Sequence, residues 1–377
     1  MIRFAVMKGY LTILAGLYFC VYTPFTALCQ QDSSLPEDQL TTHVINFSIQ
    51  KGFLIPHYGL MDYYLKDKTL SIRLSIEKVV QGGWADSFSY ATRGAEIYHT
   101  SLGNPKILGH STHLISFGNL GIHSKGKGRL KFGGGIAFIS KKFDLEKNIK
   151  NAAIGSSLNG AIAFEYQFPI SLKRGFSLSP SLRFTHYSNG AYRLPNLGLN
   201  LFSMGLSLEK NRTHKSNSSK TEAPSLKRKR LQAGLSIGRN QLIDPESQIS
   251  NNYNLSLKYI QTDPSNFILG LGTDIHYSKS YRDYYTRNSN DVSSLGLLES
   301  TRAGLTGIVG ISLGATEIHG NVGCYIYDHQ KINGSLYQRI YVLTKLGKGF
   351  RLKFCLKSHN AKAETFELGI TQDLWRK

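Results

Sequence analysis

Beyond residue 29 the chain lacks any apolar run of the ~20 residues that a membrane-crossing helix needs. Cysteine is scarce: there are four, and Cys20 and Cys29 fall within the first 29 residues. Of the other two, Cys324 alternates with Ile318, Val322 and Ile326 on an apolar face, and Cys355 with Lys353 and Lys357 on a polar one. Cysteines on opposite faces do not bridge, so neither a disulfide framework nor a zinc site is expected. Acidic residues are also few, 25 against 45 Lys and Arg, for a formal net charge of +20. A basic balance suits nucleic acid or an anionic lipid surface. No zinc-finger or basic-helix pattern appears, so phosphate head groups are the expected partner and nucleic acid is not. Gly133-Gly-Gly135 has neither P-loop nor dinucleotide spacing and reads as a strand kink. No cofactor and no metal is expected.

The first 29 residues read as a secretory signal. Arg3 and Lys8 supply the basic start, Leu11 to Phe25 the apolar run, and Thr26-Ala-Leu-Cys-Gln-Gln31 the processing region. The run is short and broken by Pro24, which argues against a retained anchor. The leucine before Cys29 fits a lipobox poorly.

After the signal the sequence alternates. Leu70-Ser-Ile-Arg-Leu-Ser-Ile76, Leu231-Gln-Ala-Gly-Leu-Ser-Ile237 and Leu255-Ser-Leu-Lys-Tyr259 each put aliphatics on one face and small or charged residues on the other. Segments of roughly ten residues with one apolar face indicate an all-β, antiparallel transmembrane β-barrel of about 14–16 strands. The 21 tyrosines and 37 glycines fit that class, and Trp84 and Trp375 read as interfacial anchors. About eight strands fall on each side of the polar stretch 209–230, which reads as a linker or loop. One larger closed barrel is favoured, because closure removes sheet edges. An eight-stranded barrel followed by a second barrel-like domain is the alternative. The resulting divisions are 1–29, 30–208, 209–230 and 231–377.

The chemistry concentrates near residue 186. Phe176, Leu178, Leu182 and Phe184 share one strand face, and His186 and Ser188 continue it. Asn189 to Leu199 contains Gly190, Pro195, Asn196 and Gly198, and reads as a loop. Asn200 then begins the outward face of the next strand, with Phe202, Met204, Leu206 and Leu208. In a hairpin His186, Ser188 and Asn200 can meet on the outer wall. A serine attacks an ester well only when a base takes its proton, and that base needs a third group to hold its ring. Asn189 and the backbone around Gly190 are candidate oxyanion donors. A second group, Asp274, His276 and Ser278, alternates with Phe267, Leu269, Leu271 and Ile275, and so points into the lumen as a polar network. His57 and His359 read as surface or packing residues.

His186-Tyr-Ser-Asn-Gly followed by Pro195-Asn-Leu-Gly198 resembles the signature of outer-membrane lipid A 3-O-deacylases of the PagL type, also called acyloxyacyl hydrolases. Phe143 to Asn159 resembles a segment of longer relatives, and the second half of the chain their C-terminal extension. The resemblance implies catalytic His186 and Ser188, with Asn189 supporting the oxyanion. It also implies a catalytic glutamate two positions after the glycine of Pro-Asn-x-Gly, where this chain has Asn200. An amide can orient the ring but carries no charge to stabilise an imidazolium. Glu364 and Asp144 are conceivable substitutes, though nothing in the sequence places them near.

The expectation is an outer-membrane serine esterase, a carboxylic ester hydrolase that takes an acyl chain from the lipid A of lipopolysaccharide. Its partners are then lipopolysaccharide and outer-membrane lipids, and its location the cell outer membrane after signal cleavage. The rivals are a noncatalytic barrel, porin or scaffold, and a phospholipase.

Overall fold

The computed structural model describes residues 39–377 except 57–58, 62–64, 66, 123–127, 217–226, 243, 282–283, 285–296, 330, 332 and 361. The expected signal, residues 1–29, and His57 lie outside the described residues. None of the described helices is long and apolar enough to cross a membrane. The described chain is instead almost entirely strand, in two compact units.

The first unit contains β1 (Gln39–Ile55), β2 (Thr69–Val79), β3 (Ala91–Ser101), β4 (His110–Gly121), β5 (Arg129–Ile139), β6 (Leu158–Gln167), β7 (Ile170–Ser171), β8 (Phe176–Ser188) and β9 (Leu199–Ser216). The order is β6-β5-β4-β3-β2-β1-β9-β8, and β6 pairs with β8 to close an eight-stranded antiparallel barrel. The two-residue β7 only extends β8. In β2, Leu70, Ile72, Leu74 and Ile76 face outward, while Ser71, Arg73, Ser75 and Glu77 are buried inside. This inverts the pattern of a water-soluble protein and is what a barrel wall in lipid requires. Closure matters there because lipid offers no hydrogen-bond partner for an open strand edge.

Inside, the lumen is zoned. One end holds an ionic network in which Arg73 and Arg183 pair with Glu165, Arg183 also with Glu96, and Lys131 Nζ sits 2.8 Å from Glu77 Oε1. The other end is apolar, with Leu54, Met61, Ile139, Ile154, Tyr187, Leu199 and Leu201 in one cluster. Tyr187 links the zones, its hydroxyl 3.0 Å from His113 Nδ1. Gly133-Gly-Gly135 does not kink β5, which pairs in unbroken register with β4 and β6. A Cβ on Gly135 would sit 2.0 Å from the Leu114 carbonyl oxygen, so the missing side chains relieve crowding between strands.

The second unit is Ala223–Lys377 together with the segment Asn189–Asn196. It contains β10 (Arg228–Asn240), β11 (Ser250–Thr262), β12 (Phe267–Ser278), β13 (Thr301–Leu313), β14 (Thr316–Asp328), β15 (Leu336–Gly347), β16 (Phe350–His359) and β17 (Lys362–Arg376). Each pairs with the next, and β17 returns to β10, giving a second closed barrel. Tyr253, Leu255, Leu257 and Tyr259 of β11 face out, and Asn252, Asn254, Ser256 and Lys258 face in. Within this unit the Gln241 N–H donates to the Ala191 carbonyl (2.8 Å), and Gln241 Oε1 accepts the Leu194 N–H (2.8 Å).

The fold is thus all-β and antiparallel, with sixteen barrel strands. They form two eight-stranded barrels, not the single larger barrel that the sequence favoured. The polar stretch 209–230 is only partly a connection, since β9 runs to Ser216 and β10 opens at Arg228. Glu209 faces the first lumen, where its Oε1 accepts from Asn46 (3.2 Å) and Ser179 (3.0 Å). Cys324 is exposed, Cys355 is buried, and both are free.

Candidate active site

β8 carries Ser177, Ser179, Ser181, Arg183, Thr185 and Tyr187 on its buried face. The period of two therefore turns Phe184 and His186 to the outer wall, and by the same parity Ser188 follows them, though it is buried where the strand ends. β9 begins with Leu199 and Leu201 fully buried, which turns Asn200 outward as well. The β8–β9 register sets His186 directly opposite Asn200. Their side chains meet, with His186 Nδ1 2.6 Å from Asn200 Oδ1. An amide oxygen only accepts, so Nδ1 is the donor in this contact. Ser188 is two residues along the same face, 3% exposed, and paired in register with Gly160 of β6.

Gly198, the glycine of Pro-Asn-x-Gly, completes this group. Its φ is +80°, and a Cβ there would lie 2.9 Å from His186 Cε1 and 3.5 Å from Nε2. A side chain would press on that edge of the ring. The Gly198 N–H donates to the Ala153 carbonyl at 3.0 Å, which fastens the glycine in place. The motif's left-handed glycine was the available signal.

Asn189 and Gly190 lie on the turn that follows Ser188. Asn189 Nδ2 donates to the Arg193 carbonyl at 2.7 Å, and its backbone N–H donates to Asn196 Oδ1 at 3.0 Å. Asn196, the asparagine of Pro-Asn-x-Gly, thus closes the loop upon itself. Gly190 has φ +63°, and a Cβ on it would meet the Phe366 ring at 2.4 Å.

The other candidates separate from this group. Asp144 Oδ1 accepts the N–H groups of Glu146 (3.0 Å) and Lys147 (2.9 Å), which hold its carboxyl below the ordinary range. Glu364 is buried in the second barrel, with Oε2 3.1 Å from Lys357 Nζ and 2.9 Å from His359 Nδ1. His359 is therefore a buried lumen residue. Asp274 and His276 also face the second lumen, where Asp274 Oδ1 takes 2.6 Å from Arg339 and Oδ2 3.1 Å from Tyr337. Ser278 is buried against Asn252. Among the described residues no group of three or more His, Cys, Asp or Glu could hold a metal ion.

The model of the family described as Lipid A 3-O-deacylase (PagL) matches residues 71–209. A second, Acyloxyacyl hydrolase, C-terminal domain, matches residues 229–375. The chain belongs to the PagL family, as a long form with a C-terminal extension. The PagL match covers most of the first barrel and the acyloxyacyl hydrolase match nearly all of the second. Curated proteins include no match to the chain. A porin triple mutant from Rhodopseudomonas blastica is 11% identical, with 89% of this chain and 100% of that chain covered and a TM-score of 0.15. Outer membrane phospholipase A from Escherichia coli is 11% identical, with 89% and 93% covered and a TM-score of 0.18. Likenesses this faint carry no argument about this PagL-family chain.

Proposed function

We propose that the chain is an outer-membrane serine esterase that removes an ester-linked acyl chain from lipid A. The observation that carries this reading is the 2.6 Å contact between His186 Nδ1 and Asn200 Oδ1, with Ser188 two residues along β8 from the histidine. A hydroxyl beside a ring held in that tautomer can lose its proton to Nε2.

In the reaction the Ser188 Oγ–H proton passes to His186 Nε2 while Oγ bonds to the acyl carbon. The tetrahedral intermediate collapses as the proton moves to the sugar oxygen, which leaves as an alcohol. Water then gives a proton to His186 and attacks the acyl-serine, releasing the fatty acid and restoring Ser188. Asn189 and the Gly190 backbone are the oxyanion donors, and the Asn189 amide exchanges the Arg193 carbonyl for the oxyanion when substrate binds. Asn200 takes the position of the family's acid and orients the ring without adding charge.

The site stands on the lipid-facing wall, where an acyl chain is available. In the β1–β9 register Ile55, the last residue of β1, is opposite Asn200, so the site lies at the end remote from the start of β1. With the termini periplasmic, that end opens outward, into the leaflet that holds lipopolysaccharide. Residues 1–29 are the cleaved secretory signal in this reading.

Eight-stranded barrels have interiors that side chains fill, and Arg73, Arg183, Arg302 and Arg339 are fully buried inside these two. That filling favours the esterase over a porin. The test is mass spectrometry of lipid A from cells that carry the wild type, Ser188→Ala or no protein. Loss of one acyl chain only with the wild type is the expected result. Three identical profiles at equal expression would sink the reading. Fatty acid released from glycerophospholipid instead would identify a phospholipase.

A further inference from the structure

The loop from Ile139 to Leu158 joins β5 to β6 and is tied down at its base. Asn148 Nδ2 donates to the carbonyls of Ile107 (3.0 Å) and Lys142 (2.8 Å). Asn151, fully buried, donates to those of Ile107 (3.2 Å) and Lys141 (2.9 Å). The Phe143 N–H reaches the Ile154 carbonyl at 2.7 Å, and Ile154 packs in the apolar end of the lumen. The Asp144 carboxylate, held by two backbone N–H groups, fixes the turn at the tip.

What this rigid base presents is unusual for a loop. Leu145 and Ile149 are 53% and 62% exposed, and Lys141, Lys142, Lys147 and Lys150 are exposed around them. Two acids, Asp144 and Glu146, stand among the four lysines, and Asp144 is already engaged by the backbone. The loop also borders the candidate site. Its Ala153 carbonyl holds Gly198 beside the His186 ring, and the strand it leads into sets Gly160 opposite Ser188.

We infer that residues 141–150 form a docking ledge for the phosphorylated head group of the membrane lipid whose acyl chain reaches Ser188. Lysines at a membrane surface attract anionic head groups, and their aliphatic stems lie along apolar neighbours. Leu145 and Ile149 enter the boundary between head groups and acyl chains, as the apolar face of an interfacial segment does. The charge is complementary to a phosphorylated glycolipid and offers little to a neutral one. The ledge thereby sets which lipid is presented to the serine. This inference rests on the esterase reading for its choice of lipid but not for its test.

The test uses full-length protein in detergent on a Ser188→Ala background, so that no hydrolysis intervenes. The probes are bisphosphorylated lipid A and the same lipid dephosphorylated, in matched mixed micelles. Replacing Lys141, Lys142, Lys147 and Lys150 together by Gln weakens binding of the phosphorylated lipid by about ten-fold or more, since each surface lysine contributes modestly to head-group attraction. Binding of the dephosphorylated lipid is unchanged, and the fourfold Lys→Arg variant binds like the parent. Equal loss for both lipids, or no loss for either, overturns the ledge. If the lysine-dependent binding is found while the wild type leaves lipid A intact, the ledge stands and the esterase reading falls.

Discussion

The side-chain oxygen of Asn200 stands 2.6 Å from Nδ1 of His186, across a directly paired position of two neighbouring strands. An amide thus does the orienting work in this site. In the proposed esterase it would hold the ring in the tautomer that a general base needs and leave a developing imidazolium without a compensating charge.

Asn200→Glu adds that charge. We expect kcat on lipid A to rise by about ten-fold, because the imidazolium formed in the transition state gains a carboxylate partner. Asn200→Ala, which releases the ring, lowers kcat by about the same factor. Single-turnover release of fatty acid measures both. A glutamate variant no faster than the wild type would mean that charge at this position does not limit the reaction.

Gly198 tests the ring's surroundings through a position that takes no part in the reaction itself. Ala at this position must adopt φ near +80° and place its Cβ 2.9 Å from His186 Cε1 and 3.1 Å from the Tyr187 carbonyl oxygen. We expect Gly198→Ala to lower kcat by about a hundred-fold through displacement of the ring. The left-handed backbone costs a residue with a Cβ about 1–2 kcal/mol of stability in addition. Activity measured beside urea unfolding separates the two effects, and a variant with full activity would show that the ring has room to move.

The lipid-facing wall is tested by adjacent residues of β11. Leu255 points out and Ser256 is buried inside. Leu255→Arg near mid-strand is expected to destabilise the second barrel by about 2–4 kcal/mol, the depth-dependent cost of a charge against hydrocarbon. Leu255→Phe is expected to be close to neutral. Urea titration of protein folded into vesicles measures both, and an arginine tolerated at no cost would place this wall in water.

Much of this was legible residue by residue. The alternation assigned faces correctly across β2, β8, β11 and β12, and it sent Asp274, His276 and Ser278 inward, where Arg339 and Tyr337 meet Asp274. It also set His186 and Asn200 on one face of a hairpin, because both depend only on parity along a strand and a short connection. The stretch from residue 209 was harder. Glu209 looks like the start of a solvated linker, yet it accepts from Asn46, 163 positions away in the chain. A charged residue facing a lumen and one in a loop have the same local signature.

By itself the sequence determined the outward and inward sets of most strands, the hairpin that carries the candidate site, and the amide in the place of an acid. Each is a property of neighbours along the chain. Only the tertiary structure decided where the sheets close, pairing β1 with β9 and β6 with β8 in one barrel and β10 with β17 in the other. Closure joins strands that are distant in sequence, and alternation is the same whichever partner seals the edge. The seating of Gly198 against the His186 ring was decided there too, because contact between side chain and backbone depends on how β8 and β9 are joined in space.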